Sequence, residues 1–203
     1  MAHEHPPLHH AERGKRATRI LAIQRLLIDK GVITADEVDD IIERARERTP
    51  ADGAKVVARA WVDDAYRARL LSDARGAVGE LGYRLSHDAE LAVVENTADV
   101  HHVVVCTLCS CYPTSLLGPP PDWYKSFAYR QRAVVEPRAV LREFGLEVAD
   151  GVRVTVVDST ADVRYLVLPR RPSGTQGMGE DALADLVTRD SMIGVAQARP
   201  PKP

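Results

Sequence analysis

The sequence predicts an α+β domain with a helical arm at its N-terminal end, and three observations carry that prediction. Apolar residues recur at helical spacing through the first fifty positions and again in several later blocks. Val-rich runs of strand length, "ELAVVENT", "VHHVVVC", "VRVTVVD" and "RYLVLP", lie between those blocks. Helices so placed flank an antiparallel or mixed sheet, which is the α+β arrangement.

The elements follow in order. From Arg16 to Lys30 the set Ile20, Ile23, Leu26 and Leu27 predicts a helix that stops at Gly31. Thr34 followed by Glu37 is the signature of a capping box, opening a second helix with Val38, Ile41 and Ile42 turned inward. Pro50 and Gly53 in "TPADGAK" then break the pattern as a hinge or linker would. Residues 1–50 are therefore expected to form a tail and helical arm, and residues 51–203 the main domain. Within it, helices are expected from about Ala54 to Trp61 and from Asp63 to Leu81, the second stopped by Gly82. The first two strands come next. After a loop, "PDWYKSFAYRQRAVV" and "PRAVLREFG" read as helices, then the last two strands, then "GEDALADLVTRD" as a final amphipathic helix.

Composition narrows the function classes. The chain has 203 residues, with 27 Lys and Arg against 29 Asp and Glu and 45% hydrophobic residues, so it fits a globular protein without a basic nucleic-acid footprint or a polybasic membrane patch. No segment is apolar enough for a signal peptide or a membrane span, and a cytoplasmic location is expected.

All three cysteines lie within "VVVCTLCSCYPT": Cys106, Cys109 and Cys111. An odd number of thiols cannot be fully paired within one chain, and a reducing compartment disfavours disulfides, so the cluster is a metal or redox candidate. If the sulfurs of Cys109 and Cys111 and the backbone nitrogens of Ser110 and Cys111 bind one ion, they close fused six-, five- and five-membered rings in a plane. Cys106 then supplies an axial sulfur and leaves the opposite position open. Deprotonated peptide nitrogen needs a highly charged ion, which argues for trivalent cobalt or iron over zinc. A zinc knuckle completed by His101 or His102 stays open as the alternative on spacing alone, and Pro113 argues against a thioredoxin-like reading of "CTLC".

The stretch "VCTLCSCYP" resembles the metal-binding signature of nitrile hydratase alpha subunits. The likeness continues in order through "GAKVVARAWVD", "ENTADVHHVVVCTLCSCYP", "PPDWYKSFAYRQRAVVEPRAVL", "RYLVLPRRPSGT" and "LVTRDSMIGV". The resemblance implies a layered α/β/β/α domain behind the N-terminal arm, with residues 51–203 as the metal-binding catalytic domain. It implies hydration of an organic nitrile to its amide at low-spin Co(III), ahead of Fe(III), bound by the sulfurs of Cys106, Cys109 and Cys111 and the main-chain nitrogens of Ser110 and Cys111. Cys109 is then a cysteine sulfinic acid and Cys111 a cysteine sulfenic acid, while Cys106 stays a thiolate. Thr107 matches the cobalt-type pattern. Attack on the nitrile carbon comes from the sulfenate oxygen of Cys111 or from a hydroxide at or near the metal, with the Ser110 hydroxyl hydrogen-bonding at the open position. The implied partners are the nitrile substrate, a β-type subunit supplying arginines and a cobalt metallochaperone. The alternatives are the related metal-binding subunit of thiocyanate hydrolase and a non-catalytic structural zinc-binding protein.

Departures from the family pattern bear on the substrate. Thr114 and Ser115 follow Pro113 where the family carries Trp-Pro, which removes aromatic surface and suggests room for a bulky heteroaromatic nitrile such as toyocamycin. Thr114, Tyr112 and His87 are the candidate substrate-pocket residues, His87 standing where many members have a glutamine. Glu95 and Asp158 are candidates for groups just outside the ligand set. Arg130, Arg132, Arg138, Arg170 and Arg171 are read as surface or helix-face charges, so no dedicated arginine pair is expected at the claw.

Overall fold

The computed structural model describes residues 10–85 and 89–202, apart from the side chains of residues 10–16 and 44–46. Two compact units divide at Arg44–Ala45. The first holds helix α1 (His10–Asp29) and most of α2 (Ala35–Glu47). The reading of Thr34 and Glu37 holds: Glu37 N–H donates to Thr34 Oγ1 at 3.1 Å, and Thr34 N–H donates back to Glu37 Oε2 at 2.7 Å. The inward face does not, because Ile41 is 61% exposed and Ile20, Ile23, Leu26 and Ile42 are also exposed. A lone stripe on two helices has too little apolar surface of its own to close a core.

The second unit opens with α3 (Pro50–Val62). "TPADGAK" is thus no linker. Pro50 takes the first helical position, where its missing N–H is harmless, and the Asp52 carboxylate accepts Thr49 N–H at 2.9 Å. Gly53 is there for close packing, since a Cβ would lie 2.3 Å from Leu117 Cδ2 and 2.8 Å from Met192 Sδ. The helix expected from Asp63 to Leu81 is two helices, α4 (Asp64–Ser72) and α5 (Ala74–Glu80). Asp63 and Asp73 each restart the chain by accepting a first-turn amide, from Tyr66 and Gly76.

Strands β1 (Glu90–Glu95), β2 (Val100–Val105), β3 (Arg153–Asp158) and β4 (Val163–Leu168) fall where the Val-rich runs predict. Their pairing corrects the expectation of an antiparallel or mixed sheet. β1 pairs in parallel with β4, Glu90 opposite Val163, and β2 pairs in parallel with β3, Val100 opposite Arg153. Consecutive strands do not form hairpins because the corner at Asn96 sends them into different sheets. Asn96 N–H still bonds Leu168 O in the first sheet, while Asn96 Oδ1 accepts His102 N–H in the second.

Between β2 and β3 run α6 (Thr114–Leu117), α7 (Asp122–Lys125), α8 (Phe127–Val135) and α9 (Pro137–Glu143); α10 (Glu180–Ala184) and α11 (Arg189–Ile193) close the chain. Ser126 splits the block expected as one helix by capping α8, and Thr188 likewise separates α11 from the expected final helix. Helices α4 and α5 cover β1, α8 and α9 cover β2 and β3, and the sheets meet at β2 and β4. This is the layered α+β arrangement. Val103–Val105 and Leu166–Leu168 are buried between the layers. Among the described residues no helix is long and apolar enough to cross a membrane.

Two neighbouring histidines are expected to make the fold pH-sensitive. His101 is buried, with Nδ1 3.2 Å from Asn96 Nδ2 and Nε2 2.7 Å from Gly194 O. An amide nitrogen facing Nδ1 requires an acceptor there, so this network assigns the proton to Nε2 and the ring is neutral. Burial lowers the pKa of His101 against the opposing pull of Gly194 O, and burial and the neighbouring His101 lower that of His102. The unfolded chain therefore binds protons first. The stability involved is complete above the ordinary histidine value and is lost as pH falls through and below it. The denaturant midpoint is expected to drop between about pH 7.5 and about pH 5.5, and His101→Gln to make that slope shallower.

Candidate metal centre

Strand β2 ends at buried Val105 and delivers Cys106 into the unit, while the next residues turn out into a loop. The parallel register sets Asp158 opposite Val105, one residue short of that loop. Asp158 accepts Thr107 N–H at 2.9 Å and the Thr107 hydroxyl at 2.5 Å, so the threonine has a physical role at the loop's base. The candidate Glu95 does not join it, being paired instead with Arg67.

The three sulfurs lie within 4.8 Å of one another, with Cys106 Sγ 3.3 Å and Cys111 Sγ 3.0 Å from Cys109 Sγ. Cys109 N–H also donates to Cys106 Sγ at 3.2 Å. Hydrogen bonds from the Cys111 and Cys106 thiols, with help from the Ser110 and Cys111 amides, draw the Cys109 thiol down to about 7. Burial, and donation of its proton toward Cys109, push Cys111 up to about 12.

That donor set fits a soft metal bound through sulfur. Three sulfurs converge within 4.8 Å in one loop. The zinc knuckle does not fit. His101 is directed at Gly194 O and Asn96, and His102 Nδ1 lies 3.3 Å from Asn96 Oδ1, so neither completes a tetrahedral cage. Among the described residues only the three cysteines gather as such a ligand group.

A cleft of about 290 Å3 opens beside the sulfurs, lined by Cys109, Ser110, Cys111, Tyr112, Thr114 and Arg164 among others. Ser110 is exposed there, and Thr114 is half-buried at the first position of α6. Tyr112 also lines the cleft, its ring buried against Tyr124 at a centroid distance of 5.1 Å. His87 lies outside the described residues.

Arginine at the claw is the main correction. Arg130, read as a helix-face charge, donates from Nε to Cys106 O at 3.0 Å and from Nη2 to Thr107 O at 2.7 Å. Arg164 lines the cleft and its charge pulls against the raised pKa of Cys111. Arg132 is the surface charge expected, bonded to Glu136 and Glu143, whereas Arg138 and Arg171 bind backbone carbonyls elsewhere. Tyr124 also reaches the loop, its hydroxyl donating to Cys111 O at 2.8 Å. A basic or aromatic residue thirteen or more positions from the loop carries no local signal of such a contact.

The sequence profile described as "Nitrile hydratase, alpha chain" matches residues 14–196. The low-molecular weight cobalt-containing nitrile hydratase subunit alpha of Rhodococcus rhodochrous is 51% identical over 181 residues, 89% of this chain and 87% of that one. Thiocyanate hydrolase subunit gamma of Thiobacillus thioparus is 40% identical over 191 residues, covering 89% of this chain and 79% of its own length. A double-mutant Fe-type nitrile hydratase from Comamonas testosteroni Ni1 superimposes with a TM-score of 0.82 at 39% identity, over 92% of this chain and 91% of that one. A recombinant thiocyanate hydrolase with partially modified cobalt centres does so with a TM-score of 0.85 at 38% identity, over 91% and 90%. With its thiol cluster, its layers and this span of likeness in agreement, the chain belongs to the nitrile hydratase alpha-chain family.

Proposed function

We propose that this chain is the metal-bearing catalytic subunit of a nitrile hydratase, hydrating an organic nitrile to its amide at low-spin Co(III). The ligands are the sulfurs of Cys106, Cys109 and Cys111 and the main-chain nitrogens of Ser110 and Cys111, in a catalytic unit of residues 51–203. The observation that carries the reading is the convergence of three sulfurs within 4.8 Å in a chain about half identical to cobalt-containing relatives. Cobalt, when bound, supplies a Lewis acid that draws electron density from the nitrile nitrogen.

The side chains of the loop divide the remaining work. Cys106 is buried and stays a thiolate, whereas Cys109 is exposed and Cys111 half-exposed, so oxygen reaches the two that become sulfinic and sulfenic acids. Cys111 presents its sulfur-bound oxygen to the nitrile carbon, or holds the attacking water there. Ser110, exposed in the cleft, orients the substrate by hydrogen bonding. A β-type subunit supplies further arginines over the exposed loop, a metallochaperone delivers cobalt, and the assembly works in the cytoplasm.

Thr114, Ser115, Glu90 and Arg164 give the cleft polar walls, which supports a bulky heteroaromatic nitrile of the toyocamycin kind. A bicyclic heteroaromatic nitrile is expected to exceed a small aliphatic one in kcat/KM by about tenfold, and Thr114→Trp to reverse that order. Equal turnover, or preference for the small nitrile, overturns the substrate reading.

The family reading is tested by co-expressing the chain with cobalt and its β-type partner, then measuring metal content, intact mass and amide formation. Cobalt near one per chain with oxygen added at Cys109 and Cys111 is expected. Zinc on unmodified thiols overturns it. The likeness to thiocyanate hydrolase supports a second reading, and faster turnover of thiocyanate than of any organic nitrile would establish that one instead.

A further inference from the structure

We propose that Tyr124 and Arg130 are positioning residues that shape the claw loop before metal arrives; this rests on the ligand set above and adds the two side chains that aim it. They come from neighbouring helices, α7 and α8. Arg130 spans two consecutive carbonyls at the start of the loop, Cys106 O at 3.0 Å and Thr107 O at 2.7 Å. Tyr124 holds the carbonyl of the last loop cysteine, Cys111 O, at 2.8 Å. The loop is thus gripped at both ends by its carbonyl oxygens.

Neither grip is free to slide. The Tyr124 ring is fully buried, with Tyr112, Trp123 and Tyr129 rings 5.1, 5.9 and 5.8 Å away, so the phenol cannot swing off. The corner between the helices is fixed as well, because Ser126 Oγ accepts Tyr129 N–H at 3.1 Å and so caps α8. Between the two grips the loop is drawn together by Cys109 N–H, which donates to Cys106 Sγ at 3.2 Å.

The consequence for binding is geometric. Holding the carbonyls of Cys106 and Cys111 sets the backbone torsions that aim their Cα–Cβ bonds, and with them the sulfurs that lie 3.3 and 3.0 Å from Cys109 Sγ. A free loop would have to lose that conformational entropy at the moment of capture. The guanidinium also brings a positive charge beside a ligand set rich in negative charge. Lysine keeps the charge but not the planar fork that spans two oxygens.

The test uses the chain co-expressed with its β-type partner under limiting cobalt, as wild type, Tyr124→Phe, Arg130→Lys and Arg130→Met. Arg132→Lys, on the outer face of the same helix, is the control. Cobalt per chain, the sulfur-to-cobalt charge-transfer absorption and thermal unfolding are recorded. Cobalt content is expected to fall about tenfold in Arg130→Met and severalfold in Tyr124→Phe, with a shifted band in both. Arg130→Lys is expected to fall between Arg130→Met and wild type, while the control stays at wild type. Should Arg130→Met fail to fold, Tyr124→Phe decides, since it removes a single oxygen. Loading at the wild-type level with an unshifted band in Tyr124→Phe and Arg130→Lys overturns the proposal. A wild-type protein that takes up no cobalt overturns the ligand set itself, which is a different result.

Discussion

Replacing Cys111 by serine is expected to abolish nitrile hydration, by more than about a thousandfold, and to leave the chain largely without cobalt. Serine keeps the shape of the side chain and substitutes a hard, weakly acidic oxygen for a soft sulfur. In the proposed ligand set the change would open one chelate ring and remove a sulfur ligand, and it deletes the sulfur proposed to carry the oxygen for attack, so binding and chemistry fail together. Because the Cys111 side chain is half-exposed at the edge of the cleft, the fold should survive. Circular dichroism is expected to match wild type while elemental analysis and amide formation collapse. Retained cobalt with lost activity would confine Cys111 to the reaction step, and retained activity would refute its role.

Gly194→Ala is expected to destabilise the protein by about 3 to 5 kcal/mol. Gly194 closes α11 with φ of 85°, a left-handed conformation that a side chain disfavours by about 1 to 2 kcal/mol. A Cβ there would also sit 1.9 Å from His102 O and 3.2 Å from Val103 Cα, both backbone of β2 rather than flexible side chain. Nothing yields cheaply. The strand would have to move, and with it the Gly194 carbonyl that pairs with His101. Gly79→Ala is the counterpart. It sits in α5 with nothing within 4 Å of a new Cβ, and is expected to add about 0.5 to 1 kcal/mol. Denaturant unfolding of the two variants gives opposite signs if this reading holds.

What could be read from the residues alone was whatever is local. The capping pair Thr34 and Glu37, the four Val-rich strands and the gathered thiols of Cys106, Cys109 and Cys111 all carry their physics within a few positions. Helix breaks at Asp73, Ser126 and Thr188 were missed because a capping side chain inside an apolar-periodic run does not interrupt the period. Strand direction was missed because a four-residue corner looks like a hairpin until Asn96 is seen to bond both sheets. Arg130 was misjudged for a related reason. A charge on a half-polar helix reads as solvated, and only the packing of α8 over β2 puts its guanidinium on the Cys106 and Thr107 carbonyls.

The Thr107–Asp158 contact joins positions 51 residues apart, through parallel strands whose crossover contains four helices. Such a pairing forms late, since loop closure over that span must be met before any contact rewards it. During synthesis the thiols emerge long before their carboxylate buttress exists. A chain stalled or truncated between positions 111 and 158 would display three adjacent sulfurs on an unbraced loop, open to any thiophilic ion in its surroundings.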